Sequence, residues 1–184
     1  MENLVNIESS FWNGKRVLLT GHTGFKGSWL SLWLLTLGAD VWGYSLESSG
    51  KDLFKKLKFD CPKIPNDLGS INSKYADIRD FDSIKQFVID AQPEIVFHLA
   101  AQPLVRYSYL LPKETFDTNV VGSLNLLECV RKIKKVRSSI IITTDKVYDN
   151  SKNKIFKESD RLGGIDPYSS SKVCVEHLFT SYKN

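Results

Sequence analysis

Short, nearly continuous apolar runs alternate along this 184-residue chain with longer amphipathic ones. Residues 17–20 read as a buried strand, 41–44 as a second, 71–76 as a weaker third, 94–99 as a fourth and 139–144 as a β-branched fifth. Between them, residues 25–37 read as a helix that Gly38 closes, and 80–90 as a helix opened by Asp80 or Asp82. Residues 112–135 read as one long helix and 168–182 as the last. Residues 47–69 are rich in Lys, Ser, Pro and Gly and read as irregular, with one helical turn at 53–57; residues 149–167 read as a loop.

Strands that alternate with helices imply a parallel sheet with helices on both faces. The expected fold is therefore α/β, a doubly wound, Rossmann-like sheet, whose ligands bind at the carboxyl ends of the strands. Residues 1–13 read as an N-terminal extension and 14–184 as an incomplete nucleotide-binding domain, because the pattern stops inside the last helix with no sixth strand and no substrate domain.

One turn carries a chemical signal. Gly21, Gly24 and Gly27 follow the first strand at intervals of three and open the first helix. Glycine permits positive φ and close backbone approach. The helix start beyond offers free N–H groups to a pyrophosphate, so the turn reads as a dinucleotide cradle. Thr23, Phe25 and Lys26 lie within it. Lys26 reads either as a solvated first-turn residue or as a charge near phosphate, and His22 as a turn residue without a metal partner. The second strand ends at Ser45, where an acid would mark NAD. Glu47 follows two residues later, so NAD against NADP stays open. Asp77 and Ile78, after the third strand, are candidates for the adenine side, and Asp77 reads equally as a loop cap.

Composition narrows the context. Apolar residues make up 42% and charged residues 25%, which is ordinary for a soluble domain. The net charge of +4 is mild, and its densest run, 131–137, reads as the last turn of a helix, which argues against nucleic-acid binding. The three cysteines, Cys61, Cys129 and Cys174, have no C-x-x-C spacing and read as free packing residues in a reducing, cytoplasmic setting. The N-terminus lacks a signal-peptide core, and no apolar run is long enough to span a bilayer.

Tyr168 and Lys172 stand four apart on the last helix and share a face. An ammonium beside a phenol stabilises the phenolate, which suits removal of an alcohol proton as its hydride leaves. The fifth strand runs out at Thr143, Thr144, Asp145 and Lys146, which read either as a capped turn with a solvated lysine or, at the carboxyl end of a central strand, as site residues.

Four segments, "TGHTGFKGSWLSLWL", "QPEIVFHLAAQPLVRYSY", "TTDKVYDN" and "GGIDPYSSSK", together resemble the CDP-glucose 4,6-dehydratases of the extended short-chain dehydrogenase/reductase superfamily. Related dTDP-glucose dehydratases typically carry Glu where Lys146 stands. The resemblance implies that Tyr168, helped by Thr144 and Lys172, oxidises the C4 hydroxyl of CDP-glucose with NAD. It further implies that Lys146 removes the C5 proton, that Asp145 protonates the departing C6 hydroxyl, and that hydride returns to C6. Such a role requires Lys146 and Asp145 to be partly desolvated. Leu99, Ala100, Ala101 and Thr118 would line the nicotinamide side, and Gln102 and Arg106 would face substrate. The family pairs as homodimers through the helices at 112–135 and 168–182 and feeds deoxysugar precursors of surface polysaccharide. Other readings are a different NAD-dependent sugar-nucleotide dehydratase, a 4-epimerase, or a non-catalytic nucleotide-binding remnant. Asp145 and Lys146 favour the dehydratase.

Overall fold

The computed structural model describes residues 9–48, 53–57, 69–149 and 155–183. Cys61 and the expectations for residues 1–8, 49–52, 58–68 and 150–154 lie outside those residues. Five strands form one sheet: β1 (Arg16–Thr20), β2 (Asp40–Ser45), β3 (Ile71–Tyr75), β4 (Ile95–His98) and β5 (Ser138–Ile141). Their order is β3-β2-β1-β4-β5, and every pairing is parallel.

Parallel neighbours require crossovers, and the described helices provide them. They are α1 (Ser9–Trp12), α2 (Phe25–Thr36), α3 (Leu53–Leu57), α4 (Phe81–Ala91), α5 (Val105–Leu110), α6 (Pro112–Phe116), α7 (Gly122–Val130) and α8 (Pro167–Lys183). The period-2 pattern of β1 shows how the sheet is covered. Leu18 packs on one face with Ile84, Val88 and Leu126 from α4 and α7. Val17 and Leu19 pack on the other with Leu34, Leu35 and Phe54 from α2 and α3. Burying each such side chain contributes about 1.5–3 kcal/mol, so both faces must stay covered, as the continuous apolar strands require.

Local chemistry sets the helix ends. Asp80, not Asp82, caps α4: its carboxylate accepts from the Ser83 amide at 3.0 Å. Gly38, at φ +82, ends the α2 connection. The stretch expected as a helix over 112–135 is helical from Pro112 to Val130, with a π-helical turn inside it, and the helix stops short of the basic run. Pro112 starts α6, a π-helical turn spans Asp117–Val121, and α7 stops at Val130. The basic run at 131–137 therefore lies in turns rather than in a last helical turn. Ile133 and Val136 pack against the core there and pull the chain across. Helix α5 was not expected; Leu111, at φ −130, separates it from α6.

The fifth strand also ends early. Its last ladder bond runs from the Ile142 amide to the His98 carbonyl. Beyond that point α8 takes over the polar groups of Ile142 and Thr143, so the expected strand over 139–144 loses its final residues to a turn. Among the described residues no helix is long and apolar enough to cross a membrane, and no group of three or more metal-ligating side chains gathers.

Candidate functional site

The strand order reverses between β1 and β4, and a cleft of about 670 Å³ opens at their carboxyl ends. The glycine turn forms its floor. Gly21 has φ +73, and a Cβ there would sit 2.7 Å from the Ala100 nitrogen. A Cβ on Gly27 would sit 2.1 Å from the Gly21 carbonyl oxygen. Both positions thus need glycine for backbone packing. Gly24 differs: a Cβ would meet only the Gly21 oxygen, at 3.3 Å. Its outer side is open, and helix α2 starts there with no side-chain cap. Free N–H groups, a positive helix end and an open glycine are what a pyrophosphate needs, so the residues present fit a dinucleotide.

Every residue expected to hold the cofactor lines this cleft. Gly21, Thr23, Gly24, Phe25, Lys26 and Gly27 come from the first turn, and Lys26 is exposed. At the end of β2 the Ser45 hydroxyl lies 2.8 Å from that of Thr23, which also donates to the Leu46 carbonyl at 3.0 Å. After β3, Asp77 and Ile78 reach the wall. The Arg79 guanidinium grips Asp77 through both carboxylate oxygens and holds it below the ordinary carboxylate value. Leu99, Ala100 and Ala101 follow β4, and Thr118 enters from the π-turn.

Helix α8 brings Tyr168 and Lys172 to the opposite wall. Lys172 is 5% exposed and donates to the Ile142 carbonyl at 3.0 Å. Burial lowers its pKa to about 8, against the opposing charge of Glu176. One turn further on, the Glu176 carboxylate accepts from Thr143. Lys172 and Glu176 together hold the two residues that follow β5, and Ile142 and Thr143 both border the cleft.

The three residues beyond them are placed differently. Thr144 is half-buried and caps a 3-10 turn over Asp145–Val147. That turn buries Val147 and tips its neighbours outward. Asp145 and Lys146 side chains are 85% and 53% exposed and form a loose ion pair at 3.9 Å. The desolvation expected of them is therefore not supplied by this chain. Arg106 is exposed on α5 and does not border the cleft. Gln102 does border it, with its side-chain amide engaged by its own surroundings. Nε2 donates to the Thr115 hydroxyl at 2.9 Å and to the Leu104 carbonyl, and Oε1 accepts from the Leu104 amide. Gln102 braces its own loop.

His22, expected as a turn residue, is fully buried. It stands edge-on to Phe54 and stacked on Tyr75, and burial lowers its pKa to about 4. Cys129 is buried and Cys174 half-buried, both free. Sequence reasoning missed Arg79 and singled out Thr144 rather than Thr143. The doubled threonine at 143–144 was the available signal, and only packing shows which of the two α8 holds.

Fold and cleft define a Rossmann-like nucleotide-binding domain of the extended short-chain dehydrogenase/reductase type. The family model described as GDP-mannose 4,6 dehydratase matches residues 18–184, and the chain belongs to that family. The chain is 47% identical over 180 residues to CDP-glucose 4,6-dehydratase of Salmonella typhimurium, covering 97% of this chain and 48% of that protein. It is 30% identical to GDP-mannose 4,6-dehydratase of Vibrio cholerae, covering 93% of this chain and 46% of the relative. Among solved structures, Thermus thermophilus UDP-glucose 4-epimerase in complex with NAD superposes with a TM-score of 0.75 at 28% identity, over 91% of this chain and 50% of that one. The chain thus spans about half the length of the relatives it matches.

Proposed function

We propose that this chain is the dinucleotide-binding and catalytic portion of a CDP-glucose 4,6-dehydratase that uses NAD. The observation that carries the reading is the pairing of Tyr168 and Lys172 on the cleft wall opposite the glycine cradle. The 47% identity to a CDP-glucose 4,6-dehydratase supports the substrate.

Bound NAD supplies the hydride acceptor and later the hydride donor. Tyr168 takes the proton of the sugar C4 hydroxyl, and the ammonium of Lys172 one turn away stabilises the phenolate. With a pKa of about 8, Lys172 exists in both charged and neutral forms near physiological pH, so it can pass a proton onward. Thr144 assists as a hydrogen-bond donor. The C4 ketone acidifies the C5 position, Lys146 removes that proton, and Asp145 protonates the departing C6 hydroxyl. Loss of water leaves a C5–C6 double bond; the hydride taken from C4 returns to C6 and the protonated Lys146 returns a proton to C5, which gives the 4-keto-6-deoxy sugar nucleotide with no net redox change.

In this reading, the part of the relatives' length that this chain does not span covers Asp145 and Lys146 and supplies most of the sugar-nucleotide pocket. The same reading places the protein in the cytoplasm, in deoxysugar precursor synthesis, and pairs two copies along the stretch 112–135 and α8. The test is incubation of the chain, and of a longer form that includes the remaining length, with CDP-glucose and NAD. The expected result is a 4-keto product that absorbs in the near ultraviolet in base. Turnover of dTDP- or GDP-sugars but not CDP-glucose overturns the substrate. A 4-epimerised sugar in place of a 4-keto product overturns the dehydratase.

A further inference from the structure

Behind the cleft lies a buried imidazole that the proposed reaction does not use. His98, the last residue of β4, is 2% exposed and has a partner on each ring nitrogen. Nδ1 lies 2.6 Å from the Thr20 hydroxyl and Nε2 lies 2.8 Å from the Ser123 hydroxyl. The partners' other bonds fix the proton positions. Ser123 spends its single hydrogen on the Asn119 carbonyl, at 2.5 Å, so toward His98 it can only accept. Nε2 therefore carries the proton.

The neutral ring is left with a lone pair on Nδ1, so the Thr20 hydroxyl donates to it. Thr20 in turn accepts from the Ala100 amide at 3.2 Å. The result is one directed chain: Ala100 N–H to Thr20, Thr20 to His98, His98 to Ser123, Ser123 to the Asn119 carbonyl. Each link spends its only proton forward, and reversing one link would leave two donors facing each other in the core.

One end of this chain lies on the cleft wall, and the other is buried next to the cleft-lining Thr118. Ala100 belongs to the wall against which Gly21 packs. Asn119 sits in the π-turn, and its side chain spans the gap to the other wall. Oδ1 accepts from the Gln102 amide at 2.8 Å, and Nδ2 donates to the Gln102 carbonyl and to the Ser171 hydroxyl. Ser171 then donates to the Tyr168 carbonyl at 2.6 Å.

We infer that His98 is a positioning residue of the dinucleotide cleft: as a neutral imidazole protonated on Nε2, it couples the Ala100 wall to the Asn119 turn and so sets the spacing between that wall and the Tyr168 helix. The surroundings keep it neutral. Thr20 from β1, Ser123 from α7 and Asn119 from the π-turn are uncharged, and the charged group facing it is Lys172 from α8. Burial first, and then the Lys172 charge, lower the His98 pKa to about 3.

The inference rests on the dinucleotide reading of the cleft, and two measurements separate them. Long-range imidazole proton–nitrogen correlations on the labelled 184-residue chain should show His98 as the Nε2–H tautomer, unchanged from about pH 8 to about pH 5. An Nδ1–H tautomer or an imidazolium overturns the directed chain, whatever the cofactor does. Calorimetric titration with NAD should then show Thr20→Val binding about tenfold more weakly than the parent, because it strands Nδ1 and the Ala100 amide, while Thr20→Ser stays within about threefold. Equal binding by the Val and Ser variants overturns the positioning role. Absence of NAD binding by the parent chain overturns the dinucleotide reading and the positioning role together, and leaves the tautomer result to decide the chain itself.

Discussion

Lys172 reaches from α8 to the main-chain carbonyl of Ile142, 3.0 Å away, and so fixes the first residue beyond β5 to the helix that carries Tyr168. The bond holds a buried ammonium with one strong acceptor, and burial sets its pKa near 8 rather than 10.5.

That shift has a sign. A lysine with a lowered folded pKa is disfavoured in its charged form by the fold, so the unfolded chain binds more protons between the two values. Stability should therefore rise as pH goes from about 8 to about 10.5, and the cost at neutral pH is about 3 kcal/mol. Lys172→Met removes that cost. The variant should be more stable than the parent at pH 7 by about 2 kcal/mol once the lost hydrogen bond is counted, with no dehydratase activity. Urea unfolding of both proteins at about pH 7 and about pH 9.5 checks this: the gap should narrow at the higher pH, and a constant gap refutes the linkage.

The glycines of the first turn should separate by role. Gly21→Ala puts a Cβ 2.7 Å from a backbone nitrogen at φ +73 and should cost about 2–4 kcal/mol. Gly24→Ala meets only one oxygen, at 3.3 Å, and should cost less than about 1 kcal/mol. It should nevertheless weaken NAD binding by about tenfold or more, because its methyl group fills the cradle. Denaturation and NAD titration of both variants give the comparison, and parent-like NAD binding by Gly24→Ala would sink the pyrophosphate assignment.

The end of β2 should control which dinucleotide binds. Ser45 and Thr23 present paired hydroxyls where a carboxylate would repel a 2′-phosphate. Ser45→Asp should increase the ratio of NADP to NAD dissociation constants by about tenfold. An unchanged ratio places discrimination elsewhere on the wall.

Lys146 separates oxidation from elimination in the proposed reaction. In a catalytically active form of the protein, Lys146→Ala should still oxidise C4, seen as reduced dinucleotide absorbance, while product formation falls about 10²-fold or more. Loss of solvent deuterium exchange at C5 should accompany it. Normal product formation by Lys146→Ala rules out the role.

Much of this protein is set by patterns local in the chain. Alternation in β1 dictates that Leu18 and Leu19 face opposite helical layers. Glycines at intervals of three after a strand dictate a tight turn into α2, and a four-residue spacing puts Tyr168 and Lys172 on one face. These features depend on steric rules that act within a few residues, so they are legible without the fold. Tertiary structure alone decided the rest. Thr20 and His98 are 78 residues apart in the chain, and Asn119 and Ser171 are 52 apart. Whether Gln102 faces a ligand or braces a loop depended on Thr115, and the reach of β5 depended on what α8 offered to Ile142 and Thr143. Burial also belongs to the fold: Lys172 and Lys146 have the same side chain, but one is enclosed beneath α8 and the other stands on an exposed turn. A charge takes its chemistry from what surrounds it, and residues distant in the chain determine those surroundings.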